Sequence, residues 1–170
     1  KQTKKIEDDN KDISNEYHPL SRQWTLWTHL PHDTDWTINS YKQVYEMTSV
    51  EETIALTETL PEVLVTNCML FIMRNGVVPV WEDPVNRTGG CFSYKVPNKQ
   101  VYSIWKELTY MLVGETISEN KQFVETVTGI TISPKKSFCI IKIWLSTCNF
   151  QDSSIITDSI RGLTSGGCLF

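Results

Sequence analysis

No stretch of 18 apolar residues occurs in this 170-residue chain, so it encodes no helical membrane span. Paired cysteines are missing too. Cys68, Cys91, Cys139, Cys148 and Cys168 are odd in number and form no C-x-x-C pair. That argues against a disulfide framework or a zinc site, and for buried free thiols in a reducing, cytoplasmic compartment. Histidine is scarce: His18, His29 and His32 all lie in the N-terminal third. No Cys–His or paired-carboxylate constellation accompanies them, and no Gly-rich phosphate cradle appears, so nothing points to an enzyme, a metal or a cofactor. Positive charge is not in excess either. Sixteen Lys and Arg against 20 Asp and Glu leave a net charge of −4, which excludes a generic nucleic-acid binder. Any nucleic acid this chain holds must be held at one spot, mainly through a base. The first 16 residues, Lys1 to Glu16, lack an apolar segment and read as a flexible polar tail. Residues 17–170 are then long enough for one domain with a real core. There is no internal repeat.

What is present is apolar pattern and tryptophan. Ser49-Val50-Glu51-Glu52 is a capping box, which predicts a helix from there to about Leu60, stopped by Pro61. Val101, Ile104, Trp105, Leu108, Met111 and Leu112 recur at helical spacing between Asn98 and Gly114, a second helix. A third, shorter one is expected from Asp152 to Ile160. Strands are expected over Trp24–Thr28, Cys68–Met73, Phe92–Val96, Phe123–Ser133 and Phe138–Leu145. Asn75-Gly76 makes a hairpin-like turn into Val77–Val80, and Pro134 to Ser137 joins the last two strands. The class is α+β, an antiparallel sheet with helices on one face. Asn86-Arg87-Thr88 matches a glycosylation sequon, which reads as a chance occurrence in a chain of this kind.

Six tryptophans are many for 170 residues, and each needs a partner for its N–H when buried. Trp24, Trp27 and Trp105 fall on core-facing patterns. Trp36 sits in the polar loop after His32-Asp33-Thr34-Asp35, where a core role is hard to justify. Trp81 stands in Val80-Trp81-Glu82-Asp83-Pro84, shortly before Gly89-Gly90. An indole followed at once by a carboxylate offers an aromatic face beside a planar two-oxygen acceptor. Guanine has a matching flat face and two adjacent N–H donors on one edge. Methylation at N7 makes that base cationic, which adds roughly 0.5–2 kcal/mol of cation–π attraction per indole face. Trp144, on an apolar strand, fits either core or site.

The order of these residues resembles the eukaryotic translation initiation factor 4E family. The resemblance spans roughly His18 to Trp144. It runs through His18-Pro19-Leu20, Trp24-x-x-Trp27, Trp36, Val50-Glu51-Glu52, Asn75 to Asp83, Gly89-Gly90, Trp105-Lys106-Glu107, Gly114-Glu115 and Ile143-Trp144. It implies a strongly curved antiparallel sheet with about three helices on the convex face and a cap site in the concave mouth. It further implies that Trp36 and Trp81 sandwich the 7-methylguanine of an mRNA cap. Glu82 would then accept from its N1 and N2 groups, and Trp144 would lie against the N7-methyl. The implied partners are capped mRNA and, on the convex face, the helical segment of a scaffold initiation factor or repressor. The implied state is a monomer in translation initiation or its regulation.

The chain departs from the family pattern in two places. Cys91 stands where a basic residue holds cap phosphates, and Ile140 where a Lys is usual; Lys135 replaces an Arg. Arg87 and Lys136 are candidates to compensate. On the partner face His18, Pro19, Val50 and Glu107 fit, but Ile54 replaces an anchoring Trp and Lys106 an apolar residue. The segment from Asp152 to Phe170 reads as an abbreviated C-terminus. These departures leave a second reading open, a protein-interaction module or repressor of the same fold with weak or lost cap binding, in a divergent member of viral or protist type.

Overall fold

The computed structural model describes residues 17–170; the expected polar tail over 1–16 lies outside the described residues. Seven strands form one antiparallel sheet: β1 (Pro19–His29), β2 (Tyr41–Ser49), β3 (Met69–Arg74), β4 (Gly90–Pro97), β5 (Val127–Pro134), β6 (Phe138–Leu145) and the short β7 (Cys168–Leu169). Their order is β2-β1-β3-β5-β6-β4-β7. Register irregularities in the β1–β2 and β5–β6 ladders bend the sheet.

The expected α+β class holds, with five α-helices among the described residues instead of about three: α1 (Val50–Thr59), α2 (Glu62–Asn67), α3 (Pro84–Arg87), α4 (Asn98–Val113) and α5 (Lys121–Thr126). The capping box at α1 forms as read: Ser49 Oγ accepts from the Glu52 N–H while the Glu52 carboxylate accepts from Ser49 N–H. α4 buries Val101, Ile104, Trp105, Leu108 and Leu112 against the sheet, and Gly114 closes it.

Burial alternates along β6: Cys139, Ile141, Ile143 and Leu145 are buried toward the helices, whereas Phe138, Ile140, Lys142 and Trp144 face the open side. The main core joins Trp24, Leu26, Ile72, Phe92, Ile130 and Ile143 to α4. A small second cluster of Phe71, Met73 and Val77 lies on the other face, with Trp27 packed against it. Trp24 and Trp105 are therefore core as expected, while Trp27 is only partly buried.

Three segments differ from expectation, each for a local reason. Val77–Val80 is no strand, because buried side chains take its backbone groups, as described below. Phe123–Thr126 is helical, since Asn120 Oδ1 accepts from the Phe123 N–H and starts α5; only Val127 onward extends. From Asp152 to Ile160 there is only a 3₁₀ turn at Ser153–Ile155, capped by Asp152. The run Ile155-Ile156-Thr157 is β-branched and poorly suited to a helix. Of the cysteines, Cys139 alone is fully buried, its thiol pushed up to about 11 by that burial, while Cys148 is exposed.

Candidate functional site

The loop from Asn75 to Thr88 crosses toward the open face of the sheet, and two short polar side chains hold it there. Asp83 accepts from Val78 N–H at 2.8 Å and from Val85 N–H at 2.8 Å, the second contact capping α3. Asn86 is fully buried: its Nδ2 donates to the Val78 and Val80 carbonyls at 3.0 Å each, and its Oδ1 accepts from Thr128 Oγ1 at 3.1 Å. A buried amide with every contact met fixes the loop, and it also removes the Asn86 sequon from solvent. Gly89 completes the return to β4, because a Cβ there would stand 1.6 Å from the Leu145 carbonyl oxygen.

That fixed frame presents Trp81 and Glu82 outward. Trp81 is 50% exposed and Glu82 is exposed. Glu82 makes no hydrogen bond or ion pair among the described residues. Its charge is nonetheless felt at Tyr41, whose phenol is held above its usual value first by burial and then by Glu82. The Trp81 ring lies 6.5 Å from that of Trp144, tilted by 47°. Trp144 is anchored across the strands, its Nε1–H donating to Thr131 Oγ1 at 2.7 Å. Its register partners are Gly129 and Cys91, both small, so the floor beside it is low.

Trp36 is 61% exposed in the loop after β1. No ring pairing joins it to Trp81 among the described residues. It stacks on His29, centroids 4.0 Å apart and planes 4° apart. Tyr41 meets His29 edge-on at 5.2 Å, so the chain Trp36–His29–Tyr41 reaches toward Glu82. Lys135 joins Trp36 along a cleft of about 270 Å³. Arg87, at the end of α3, and Lys136, in the β5–β6 turn, are exposed and are not brought to these indoles by any contact.

Sequence reasoning missed Lys142. It is half-buried on the open face of β6, two residues from Trp144 and between Ser93 and Thr131 in the ladders. No carboxylate engages it among the described residues. Nothing in an apolar run such as Phe138–Leu145 marks one lysine as facing a site. The alternation of the strand, with the two paired neighbours, does.

The helix-covered side carries a separate cleft of about 580 Å³, lined by Pro19, Val50, Ile54, Tyr110 and Val113 among others. His18, next to Pro19 in the chain, has its ring 2.6 Å from Glu51; that contact first of all holds the Glu51 carboxyl down at about 2. Lys106 is not presented as a free cation. It pairs with Glu58 at 2.7 Å, and Tyr110 donates to the other Glu58 oxygen at 2.8 Å, so α1 and α4 are bridged beside the cleft. Glu107 is exposed on α4.

Comparison with known proteins follows the same lines. The family model described as eukaryotic initiation factor 4E matches residues 19–164. Eukaryotic translation initiation factor 4E-2 of Schizosaccharomyces pombe is 31% identical over 144 residues, covering 79% of this chain and 56% of the relative. The factor 4E of Candida glabrata is 28% identical over 146 residues, 82% of this chain and 68% of the relative. A factor 4E homolog of Acanthamoeba polyphaga mimivirus is 39% identical over 62 residues, 36% of this chain and 23% of the homolog. The chain thus spans little more than half the length of the fission-yeast relative. Among solved structures, C. elegans eIF4E-3 in complex with the 4E-binding protein Mextli and cap analog superimposes with a TM-score of 0.70 at 22% identity, over 78% of this chain and 76% of that one. Schistosome eIF4E complexed with m7GpppG and 4E-BP gives 0.70 at 24% identity, over 78% and 74%. At those identities the likeness is one of fold.

Proposed function

Because the chain belongs to the eukaryotic initiation factor 4E family, we propose that it is a non-enzymatic binder of the 7-methylguanosine cap of mRNA, acting in translation initiation or its regulation. The observation that carries this reading is the Trp81–Glu82 pair. A half-exposed indole adjoins a carboxylate that has no other partner among the described residues, on a loop pinned by Asp83 and Asn86. A flat cationic base stacks on Trp81 and on the open face of Trp36, while Glu82 accepts its two edge N–H groups. Trp144 lines the same mouth. Two indole faces contribute on the order of 2 kcal/mol of preference for the methylated base, about thirtyfold. Phosphates extend toward Lys142 and Lys135, with Cys91 and Ile140 supplying no charge along the way. Arg87 and Lys136 are left as peripheral contributors. The cleft on the other face, with Pro19, Val50 and Ile54, takes the apolar side of a scaffold or repressor helix.

Isothermal calorimetry with 7-methyl-GTP and GTP tests the reading. A preference of about thirtyfold or more for the methylated nucleotide is expected. Equal affinities would refute it. Weak binding of both nucleotides, together with tight binding of a partner helix, would favour the interaction-module reading that Cys91 and Ile140 keep open.

A further inference from the structure

His29 is an unusual platform. It is 3% exposed, at the end of β1, and its ring lies parallel to Trp36 at 4.0 Å. Its Nε2 is 2.8 Å from the Asp35 carbonyl. A carbonyl only accepts, so the hydrogen is on Nε2 and the contact ties the ring to the loop that carries Trp36. Asp35 in turn holds the loop, its carboxylate accepting from Thr37 N–H at 2.8 Å and from Thr37 Oγ1 at 3.0 Å. One face of Trp36 is covered by imidazole; the other is open.

From this stack we infer that His29 is a positioning residue for the base site. Its imidazole backs the inner face of Trp36 and so holds the open face of the indole toward the base. The inference rests on the cap-binding reading above. Its physical basis is preorganisation: an exposed loop indole binds a flat base at lower entropic cost when its ring is already held, and the parallel imidazole supplies that hold. The imidazole is itself fixed, tied through Nε2 to the Asp35 carbonyl, met edge-on by Tyr41 and placed opposite Met69 in the β1–β3 ladder.

The test uses the whole chain with His29→Phe, His29→Ala and His32→Ala variants, titrated with 7-methyl-GTP and GTP at pH 8. His29→Ala should weaken 7-methyl-GTP about two- to tenfold, His29→Phe should restore wild-type binding because a flat ring again backs the indole, and His32→Ala should bind as the wild type does. Proton NMR supplies a readout that folding alone does not move: the His29 ring protons should be shifted by the Trp36 ring current, and the Trp36 resonances should move in His29→Ala and stay in place in His29→Phe. Unchanged binding by His29→Ala, or a loss in His29→Phe as large as in His29→Ala, would overturn the inference while leaving cap binding intact. A wild type without preference for 7-methyl-GTP would instead remove the cap-binding reading, and this inference with it.

Discussion

Asn86 and Glu82 divide the work of the Trp81 loop between holding and reading. Asn86→Ala leaves the Val78 and Val80 carbonyls and the Thr128 hydroxyl without their partner inside the protein. Buried polar groups left unpaired cost about 1–3 kcal/mol, so the variant should melt several degrees lower in calorimetric scans and bind 7-methyl-GTP poorly. Glu82→Gln should do the reverse. The carboxylate makes no hydrogen bond or ion pair among the described residues, so stability should hold, while an amide donor facing the two guanine donors should cost tenfold or more in affinity, on the order of 1.5–3 kcal/mol. Chemical denaturation beside calorimetric titration separates the two effects. Trp81 and Glu82 were legible in the sequence because a large aromatic and an acid stand together in a turn-rich segment with no core pattern. Asn86 was legible only as a sequon. His29 and Lys142 were not legible at all, because their meaning depends on what lies across a stack or a ladder.

At the level of elements, α1 and α4 could be read directly: one carries its start signal in four residues, and the other repeats its apolar face for 16 residues. β2 could not, since it is a sheet edge with Lys42 to Glu46 all exposed and no alternation to read. The bridge between these two helices, Glu58 with Lys106 and Tyr110, gives a pH expectation. The Lys106 ammonium, then the Tyr110 hydroxyl, hold the Glu58 carboxyl below its usual value. A depressed carboxyl contributes above its ordinary value and is lost as pH falls through the folded one, so the bridge should open in acid. Tyr110 is pushed up to about 12 by burial and by Glu58, so its contribution should survive past pH 10 and be lost as pH rises toward 12. Hydrogen exchange of α1 amides against pH checks both limits. The same bridge means Lys106 is already engaged and does not wait for an acidic partner. Ile54→Trp, which restores a large anchor in the cleft, should therefore tighten a standard partner helix by about 1–3 kcal/mol without any change at Lys106. A calorimetric titration of that helix measures it.

Across the whole molecule, a net charge of −4 and an open face with few cations predict shallow electrostatics. Affinity should rise modestly from 7-methylguanosine to its mono-, di- and triphosphates, and fall gently with added salt, because few ion contacts are available to screen. Lys142→Ala should flatten both dependences, with little change for the bare nucleoside. Cys91→Arg should steepen them, since that position pairs with Trp144 across the ladder. Titrations of the four ligands between low and high ionic strength provide the check. An unaltered phosphate dependence in Lys142→Ala would assign the contact to Lys135 or to the exposed Lys136 and Arg87.

The partition of the six indoles also decides how this protein will look in a fluorimeter. Trp24 and Trp105 are sealed in the core, and Trp27 leans on the small cluster beneath the loop. These three should emit toward the blue and ignore a nucleotide. Trp36, Trp81 and Trp144 should supply the red, water-relaxed part of the spectrum. A saturating ligand should therefore extinguish about half of the light at most and leave the remainder blue-shifted.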